Sequence, residues 1–200
     1  MNNGLKLFLS MAIAVGSIGG LLSGCAPLAA GGAVTGAVIT NDKRTAGTVL
    51  EDQNIENKAR NILTADGEIS SQAHINVTSF NLKVLVTGEA PTDDMKRRVA
   101  EYVSRIAKVQ HVYDEVRVAA PSGSSSRAND TLLTTKVKTK LVSIRDISAL
   151  DIKVVTENGV VYLMGLLEQP TGDAVAEAVA SIGGISKVVK LFESGSGALH

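Results

Sequence analysis

The sequence has a single cysteine, no tryptophan and no excess of either charge. Cys25 is the only cysteine in 200 residues, so neither a disulfide nor a zinc site with several thiolates can form within one chain. Aromatic residues make up only 3% of the chain, which argues against base-stacking platforms for nucleic acid. Basic and acidic residues number 20 each, and this balance also argues against nucleic-acid binding, which depends on excess positive charge.

Motifs of common catalytic and metal sites are also missing. The chain contains no GxSxG, HExxH, CxxC or GxxxxGK[ST] pattern. Of the three histidines, we interpret His74 and His111 as solvated residues at strand ends and place His200 in a terminal tail. Asp93 and Asp94 are adjacent at the start of a predicted helix, where acids favour the helix dipole. We therefore predict no enzymatic activity, no metal site and no cofactor.

The first 24 residues have the pattern of a secretory signal. Lys6 precedes an apolar run from Leu7 to Leu22, which would be about 24 Å long as a helix. This is shorter than the roughly 30 Å hydrocarbon core of a bilayer. A positive start, a short apolar centre and small residues at the end are typical of signal peptides.

The run ends in Leu22-Ser23-Gly24-Cys25, which resembles the lipobox of bacterial lipoproteins. The resemblance implies that residues 1–24 are removed and that Cys25, then the first residue, carries covalent lipid, palmitate included. Three acyl chains exceed the two hydrophobic signals that stable anchoring needs. Ala26 and Pro27 differ from the aspartate that retains many such proteins at the inner membrane. The resemblance therefore implies a lipid anchor on the periplasmic face of the outer membrane.

Segments of biased composition divide the rest of the chain. Residues 25–46 hold the acylated cysteine and an Ala- and Gly-rich tether, and residues 119–129 are a Ser- and Gly-rich linker. Between them lie two longer segments, 47–118 and 130–193, and residues 194–200 are predicted to be a flexible tail. Two small domains are therefore expected.

The two longer segments repeat one pattern. The residues Ile75, Val77, Val84 and Gly88 are matched 77 positions later by Ile152, Val154, Val161 and Gly165. Each copy contains a helix, a hairpin, a second helix and a short strand, judged from its periodicity. In the second hairpin, Asn158-Gly159 between apolar runs is a strong turn signal, and Asn81 marks a weaker turn in the first. We predict an α+β fold of two tandem αββαβ units, each a three-stranded sheet with helices packed on one face.

Apolar spacing also predicts the buried helix faces. The first helix of each copy should bury Ile55, Ala59, Ile62 and Leu63, and Leu133, Val137 and Leu141. On this second helix Leu132 lies one turn from Lys136 and two turns from Lys140. An apolar side chain flanked by Lys136, Lys138 and Lys140 is typical of a helix at an anionic membrane surface. The alternative interpretation is ordinary solubilising charge on an exposed helix.

The repeated unit resembles the BON domain of bacterial envelope proteins, through "VLVTGEAPT" and "VYLMGLLEQPT" and the helix and strand after each glycine. Together with the lipobox, the chain resembles dual-BON outer-membrane lipoproteins. The resemblance implies a non-enzymatic protein whose second domain binds anionic phospholipid, through Leu132 and its neighbouring lysines. It also implies support of envelope integrity and a role at the division site. Such lipoproteins usually have Trp where this chain has Leu132. A second hypothesis is a periplasmic interaction module for outer-membrane assembly proteins.

Overall fold

A computed structural model describes residues 42–145 and 147–194, which cover both repeats apart from residue 146. The first repeat contains helices α1 (Ala46–Ala65) and α2 (Gly67–Gln72), strands β1 (His74–Phe80) and β2 (Lys83–Ala90), helix α3 (Asp93–Ser104) and strand β3 (His111–Val118). The second contains helix α4 (Ser124–Val142), a 3-10 turn (Ala149–Asp151), strands β4 (Ile152–Glu157) and β5 (Val160–Leu166), helix α5 (Gln169–Ala180) and strand β6 (Lys187–Glu193).

Each repeat has a three-stranded sheet whose second strand is central. β1 runs antiparallel to β2, with Phe80 opposite Lys83, and β3 runs parallel to β2. β4, β5 and β6 repeat this arrangement, with Glu157 opposite Val160. The helices of each repeat pack on one face of its own sheet. The predicted α+β fold with two tandem αββαβ units is confirmed.

A buried aspartate on the first helix of each repeat holds the hairpin turn. The backbone at 81–82 and at 158–159 has positive φ at both positions, as tight type I′ turns require. In the first repeat the two turn N–H groups donate to Asp52 at 2.8 and 2.9 Å. In the second repeat they donate to Asp130, both at 2.8 Å. Each helix is thereby fixed to its hairpin.

The buried helix faces largely follow the predicted spacing. Ile55, Ala59 and Leu63 are buried in the first repeat, and Leu133, Val137 and Leu141 are buried in the second. The prediction for Ile62 was wrong, because this side chain is 38% exposed. It is offset by about 100° from Leu63, which puts it at the margin of the stripe that reaches the sheet.

Helix α4 begins at Ser124, within the segment 119–129 that the sequence predicted as a linker. The extended backbone of Gly123 precedes its first turn, and Arg127 donates a backbone hydrogen bond to the carbonyl of Gly123. Serine is a moderate helix former once a helix is held by tertiary contacts, so its linker-like composition was a poor guide here. Residues 119–123 make the connection between the repeats.

The second face of each sheet is also buried, because the two sheets pack against each other. Phe80 and Leu85 from the first sheet contact Tyr162, Met164 and Leu166 from the second. All five side chains are buried. The two repeats therefore form a helix–sheet–sheet–helix arrangement with a third apolar core between the sheets.

Buried carboxylates border this third core. Glu89 accepts hydrogen bonds from the side chains of Asn158 and Arg117 and from the backbone N–H of Ser122. Burial opposes ionisation of Glu89, yet these donors hold its pKa below the ordinary value. Glu157 differs, because burial raises its pKa despite a 2.8 Å hydrogen bond from Asn76.

Tyr162 makes the sheet-to-sheet contact sensitive to alkaline pH. Burial, followed by the negative charge of Glu115 at 3.4 Å, raises the pKa of Tyr162 to about 12. Because the native pKa lies above the ordinary tyrosine value of 10.0, the contribution of Tyr162 to stability is fully present below pH 10.0 and is lost as pH rises toward 12. We expect a tyrosinate absorbance titration to show a late component that Tyr162→Phe removes. Persistence of this component in Tyr162→Phe would contradict the assignment.

The segment before α1 contacts both repeats. Arg44 binds Asp52 and Asp42, each at 2.7 Å, and its guanidinium lies 4.1 Å from the centre of the Phe80 ring. Lys43 reaches the second repeat, where it donates to the carbonyl of Leu166 at 3.2 Å. Residues 42–44 therefore bridge the two sheets at their outer edge.

Candidate membrane-contacting site

The four residues predicted to contact lipid all lie on α4. Its core face is occupied by Leu133, Val137 and Leu141, so neighbouring positions project away from the second sheet. Leu132 is 62% exposed, and Lys136, Lys138 and Lys140 are exposed. The structure thus places Lys136 and Lys140 beside Leu132 on one solvent-facing side of α4, and Lys138 is exposed on the other side.

The outermost part of α4 is a continuous stripe that the sequence analysis recognised only in part. At about 100° per residue, Leu132, Thr135, Thr139 and Val142 fall opposite the core face. We call these four residues the exposed stripe. Val142 is 74% exposed, more than any other large apolar residue among those that the structure describes. The missed signal was Val142, which lies about 80° from Leu132 around the helix, with Thr135 and Thr139 between them.

The threonines of the exposed stripe have no free hydroxyl donor. Thr135 donates to the carbonyl of Thr131 at 3.0 Å, and Thr139 donates to the carbonyl of Thr135 at 3.0 Å. Thr131, one turn earlier, does the same with Arg127 at 3.0 Å. A hydroxyl that is already hydrogen-bonded costs much less to transfer into an apolar phase. The exposed stripe is therefore more compatible with lipid than its composition suggests.

The lysines flank the exposed stripe on both sides. By helix geometry Lys136 and Lys140 lie on one flank and Lys138 lies on the other. On the first flank, a groove of about 440 Å³ is bordered by the two lysines and by Thr135, Thr139, Ser143 and Ile182. Ile182 comes from the segment after α5, and the sequence analysis did not include it. Lysine stems can extend along such an apolar groove while their ammonium groups remain in water.

No carboxylate among the described residues neutralises these lysines. No carboxylate of residues 42–145 and 147–194 lies within 4.0 Å of Lys136, Lys138 or Lys140. Some basic residues of the first repeat are paired instead, since Arg98 lies 2.8 Å from Glu68 and Lys108 lies 3.8 Å from Glu51. The α4 surface therefore offers positive charge to an external anion.

The histidines and Cys25 are the other residues that the sequence singled out. His74 is at the start of β1 but is only partly exposed, and its Nε2 lies 3.9 Å from Glu157, so the prediction that it is solvated was wrong. The cause is the covering second sheet, which the repeat pattern does not reveal. His111 is exposed at the start of β3 and packs edge-on against Tyr113. Cys25 and His200 lie outside the described residues. Within those residues, no group of three potential metal-binding side chains occurs.

Comparison with known proteins resolves the family. The model of the BON domain family matches residues 51–120 and 129–195. Outer membrane lipoprotein DolP of Haemophilus influenzae is 33% identical over 172 residues, which cover 86% of this chain and 89% of the relative. The chain belongs to the BON-domain family, as a dual-BON protein of the DolP type. This confirms the resemblance seen in the sequence, and as a member of the family the chain is non-enzymatic.

Other similarities extend across this dual-BON protein. The 21 kDa hemolysin of Actinobacillus pleuropneumoniae is 34% identical over 151 residues, covering 76% of this chain and 78% of the relative. Among solved structures, the C-terminal domain of CdsD from the Chlamydia trachomatis type III secretion system is 16% identical with a TM-score of 0.29. That match covers 70% of this chain and 65% of the solved CdsD chain and is too distant to add to the assignment.

The relationship to DolP places the dual-BON chain among outer-membrane lipoproteins. Among residues 42–145 and 147–194, no helix is long and apolar enough to cross a bilayer. Within this part of the chain, α4 exposes two large apolar residues, Leu132 and Val142, together with three lysines that have no described carboxylate within 4.0 Å.

Proposed function

We propose that the second BON domain binds anionic phospholipid through α4 and that this binding positions the protein on the periplasmic face of the outer membrane. Lipid on Cys25 would hold the chain at the membrane, and α4 would then bind anionic phospholipid in preference to zwitterionic lipid. The main support for this proposal is the exposed stripe, which has Leu132 and Val142 at its ends. On both of its flanks lie exposed lysines that have no described carboxylate within 4.0 Å. We further propose that this lipid preference serves envelope integrity and concentrates the protein at the division site.

The energies fit a selective contact on an already anchored protein. Each lysine near an anionic surface contributes about 1 kcal/mol, so three lysines contribute about 3 kcal/mol. Transfer of a leucine or valine side chain out of water adds roughly 1.5–3 kcal/mol when its burial is complete. A contact of this strength is weak for a soluble protein, but the anchor raises its effective concentration and makes it sufficient.

Vesicle binding tests the proposal directly. A chain beginning at Asp42 retains every described core and lacks Cys25, so any membrane contact must come from the folded part. We expect it to bind vesicles that contain anionic lipid and not zwitterionic vesicles, at low salt. Lys136→Gln/Lys140→Gln should weaken this binding by about 2 kcal/mol, or roughly 30-fold, because two lysine contributions are lost. Sedimentation of vesicles with bound protein measures the change.

A matched control separates the site from net charge. Lys58→Gln/Arg105→Gln removes the same charge from exposed positions of the first domain and should leave binding within about twofold. Leu132→Glu should abolish binding, because it adds negative charge to the exposed stripe. Equal losses in the two double variants would refute a site on α4 and leave only nonspecific attraction.

A further inference from the structure

A groove in the first repeat separates α1 and α2 from the edge strand β1. It has a volume of about 390 Å³. Its apolar floor is formed by Leu63, Ile69, Ile75 and Val77, and Glu56 and Arg60 stand on its helical side. We call it the edge groove. It lies in the first repeat and shares no residue with the exposed stripe of α4.

The strand that borders the edge groove has unpaired backbone groups. Phe80 and Lys83 flank a two-residue turn, so hydrogen-bonded pairs alternate from there, and Thr78, Asn76 and His74 bond to β2. Ile75 and Val77 therefore direct their N–H and C=O groups outward, and neither has a hydrogen-bond partner among the described residues. Ser79 faces the same way, but Glu56 accepts its N–H at 2.9 Å. The open part of the edge is thus confined to residues 75–77.

The equivalent edge is more buried in the second repeat. Ile152 and Val154, which match Ile75 and Val77, are buried, whereas Ile75 and Val77 are only partly buried. A 2.8 Å hydrogen bond between the hydroxyls of Thr134 and Thr156 holds α4 against β4. The first repeat has Glu56 and Ser79 at these two positions, and they are also hydrogen-bonded. The difference between the copies is therefore the greater exposure of Ile75 and Val77.

The charged residues of the edge groove favour an acidic ligand. Glu56 is already engaged, by the N–H of Ser79 and by Lys153 at 3.6 Å. Arg60 is exposed, and among the described residues it has no carboxylate within 4.0 Å, only a hydrogen bond to Asn57 at 3.1 Å. An incoming carboxylate would meet a planar guanidinium donor there.

We propose that the edge groove binds an extended segment of a partner protein as an added β-strand beside β1. The backbone of that segment pairs with Ile75 and Val77, its inward side chains are aliphatic and contact the apolar floor, and an acidic side chain pairs with Arg60. Backbone pairing supplies affinity, and the floor and Arg60 supply selectivity. An unpaired strand edge beside a groove with an apolar floor is suited to this mode of recognition.

The proposal is tested by measuring how synthetic peptides bind to the full-length chain in nanodiscs of zwitterionic lipid. These nanodiscs contain no anionic lipid that could compete. The probe is a fluorescent heptapeptide of alternating Val and Thr with one Glu, read by fluorescence anisotropy. Two further peptides carry N-methyl groups on one or the other alternating set of amides. An added strand directs only every second backbone N–H toward its neighbour, and methylation removes that donor. We therefore expect one methylated peptide to bind like the parent and the other to lose binding. Hydrogen exchange should slow at residues 75–77 when the parent peptide binds.

Charge variants complete the test. Arg60→Glu should weaken the parent peptide about tenfold, as for loss of a hydrogen bond to a charged group, and should not weaken a peptide with Gln in place of Glu. Lys58→Glu makes the same charge change two residues away, outside the edge groove, and should alter affinity less than about twofold. Equal binding of both methylated peptides, or no binding of the parent, overturns the proposal.

Discussion

Gly88→Ala is expected to unfold the first repeat under conditions in which the native chain is stable. Gly88 has a φ of +115°, which an L side chain rarely adopts. A Cβ atom there would overlap the carbonyl oxygen of His74, and this backbone belongs to the paired strand β1. Backbone strain and overpacking together should cost about 4 kcal/mol, which is a large part of the stability of a small domain.

Gly67→Ala is the matched control. Gly67 is also in the first repeat, at the start of α2, but no atom lies within 4 Å of its added Cβ. We expect its free energy of unfolding to stay within about 1 kcal/mol of the native value. Urea unfolding of chains beginning at Asp42, followed by circular dichroism, measures both variants. Similar stabilities for the two variants would contradict the close packing of β1 against β2 at Gly88.

Asp52→Ala is expected to destabilise the chain by about 4 kcal/mol, in the range for breaking a buried ion pair. Asp52 accepts hydrogen bonds from the turn 81–82, from the hydroxyl of Ser79 at 2.6 Å and from Arg44 at 2.7 Å. Its removal leaves these donors unsatisfied and leaves the largely buried guanidinium of Arg44 with Asp42 alone. The same urea experiment measures the loss.

The second repeat provides the comparison for Asp52. Asp130→Ala removes the matching clamp, but Asp130 binds the turn 158–159 without a buried arginine. We expect a loss of about 2 kcal/mol, from two unsatisfied N–H groups. Arg44→Met should recover part of the stability lost in Asp52→Ala, because it removes a largely buried guanidinium that has lost one of its two carboxylates. Equal losses for the two aspartates, with no recovery by Arg44→Met, would show that the ion pair contributes nothing.

Local patterns were sufficient to predict most elements of each repeat, although not the short helix α2 or the 3-10 turn. Asn158-Gly159 adopts the two positive φ angles that its chemistry favours, and Leu133, Val137 and Leu141 face the core as their spacing predicts. Thr92 caps α3 by accepting the N–H of Met95 at 3.2 Å, as expected for a threonine before acidic residues. Each of these signals acts over a few residues, so a single sequence contains all of it.

Contacts between the repeats could not be predicted in this way. Leu85 and Glu89 lie on strand faces whose covering partner is more than 60 residues distant in the chain, and periodicity gives no information on such pairing. The candidate site was partly predicted because it lies on one helix. Leu132 and the lysines were found from their spacing, whereas Ile182 required knowledge of which segment packs beside α4.

The double attachment of residues 42–44 has a mechanical consequence. Tension that reaches the folded part through its N-terminal end arrives first at Lys43 and Arg44, one fastened to each repeat. Both repeats therefore bear the force before the first turn of α1 does. The force is then opposed by contacts to both repeats, and not only by the contacts that hold α1 to its own sheet. If force from the membrane reached residues 42–44, these contacts would help to keep the two repeats packed together.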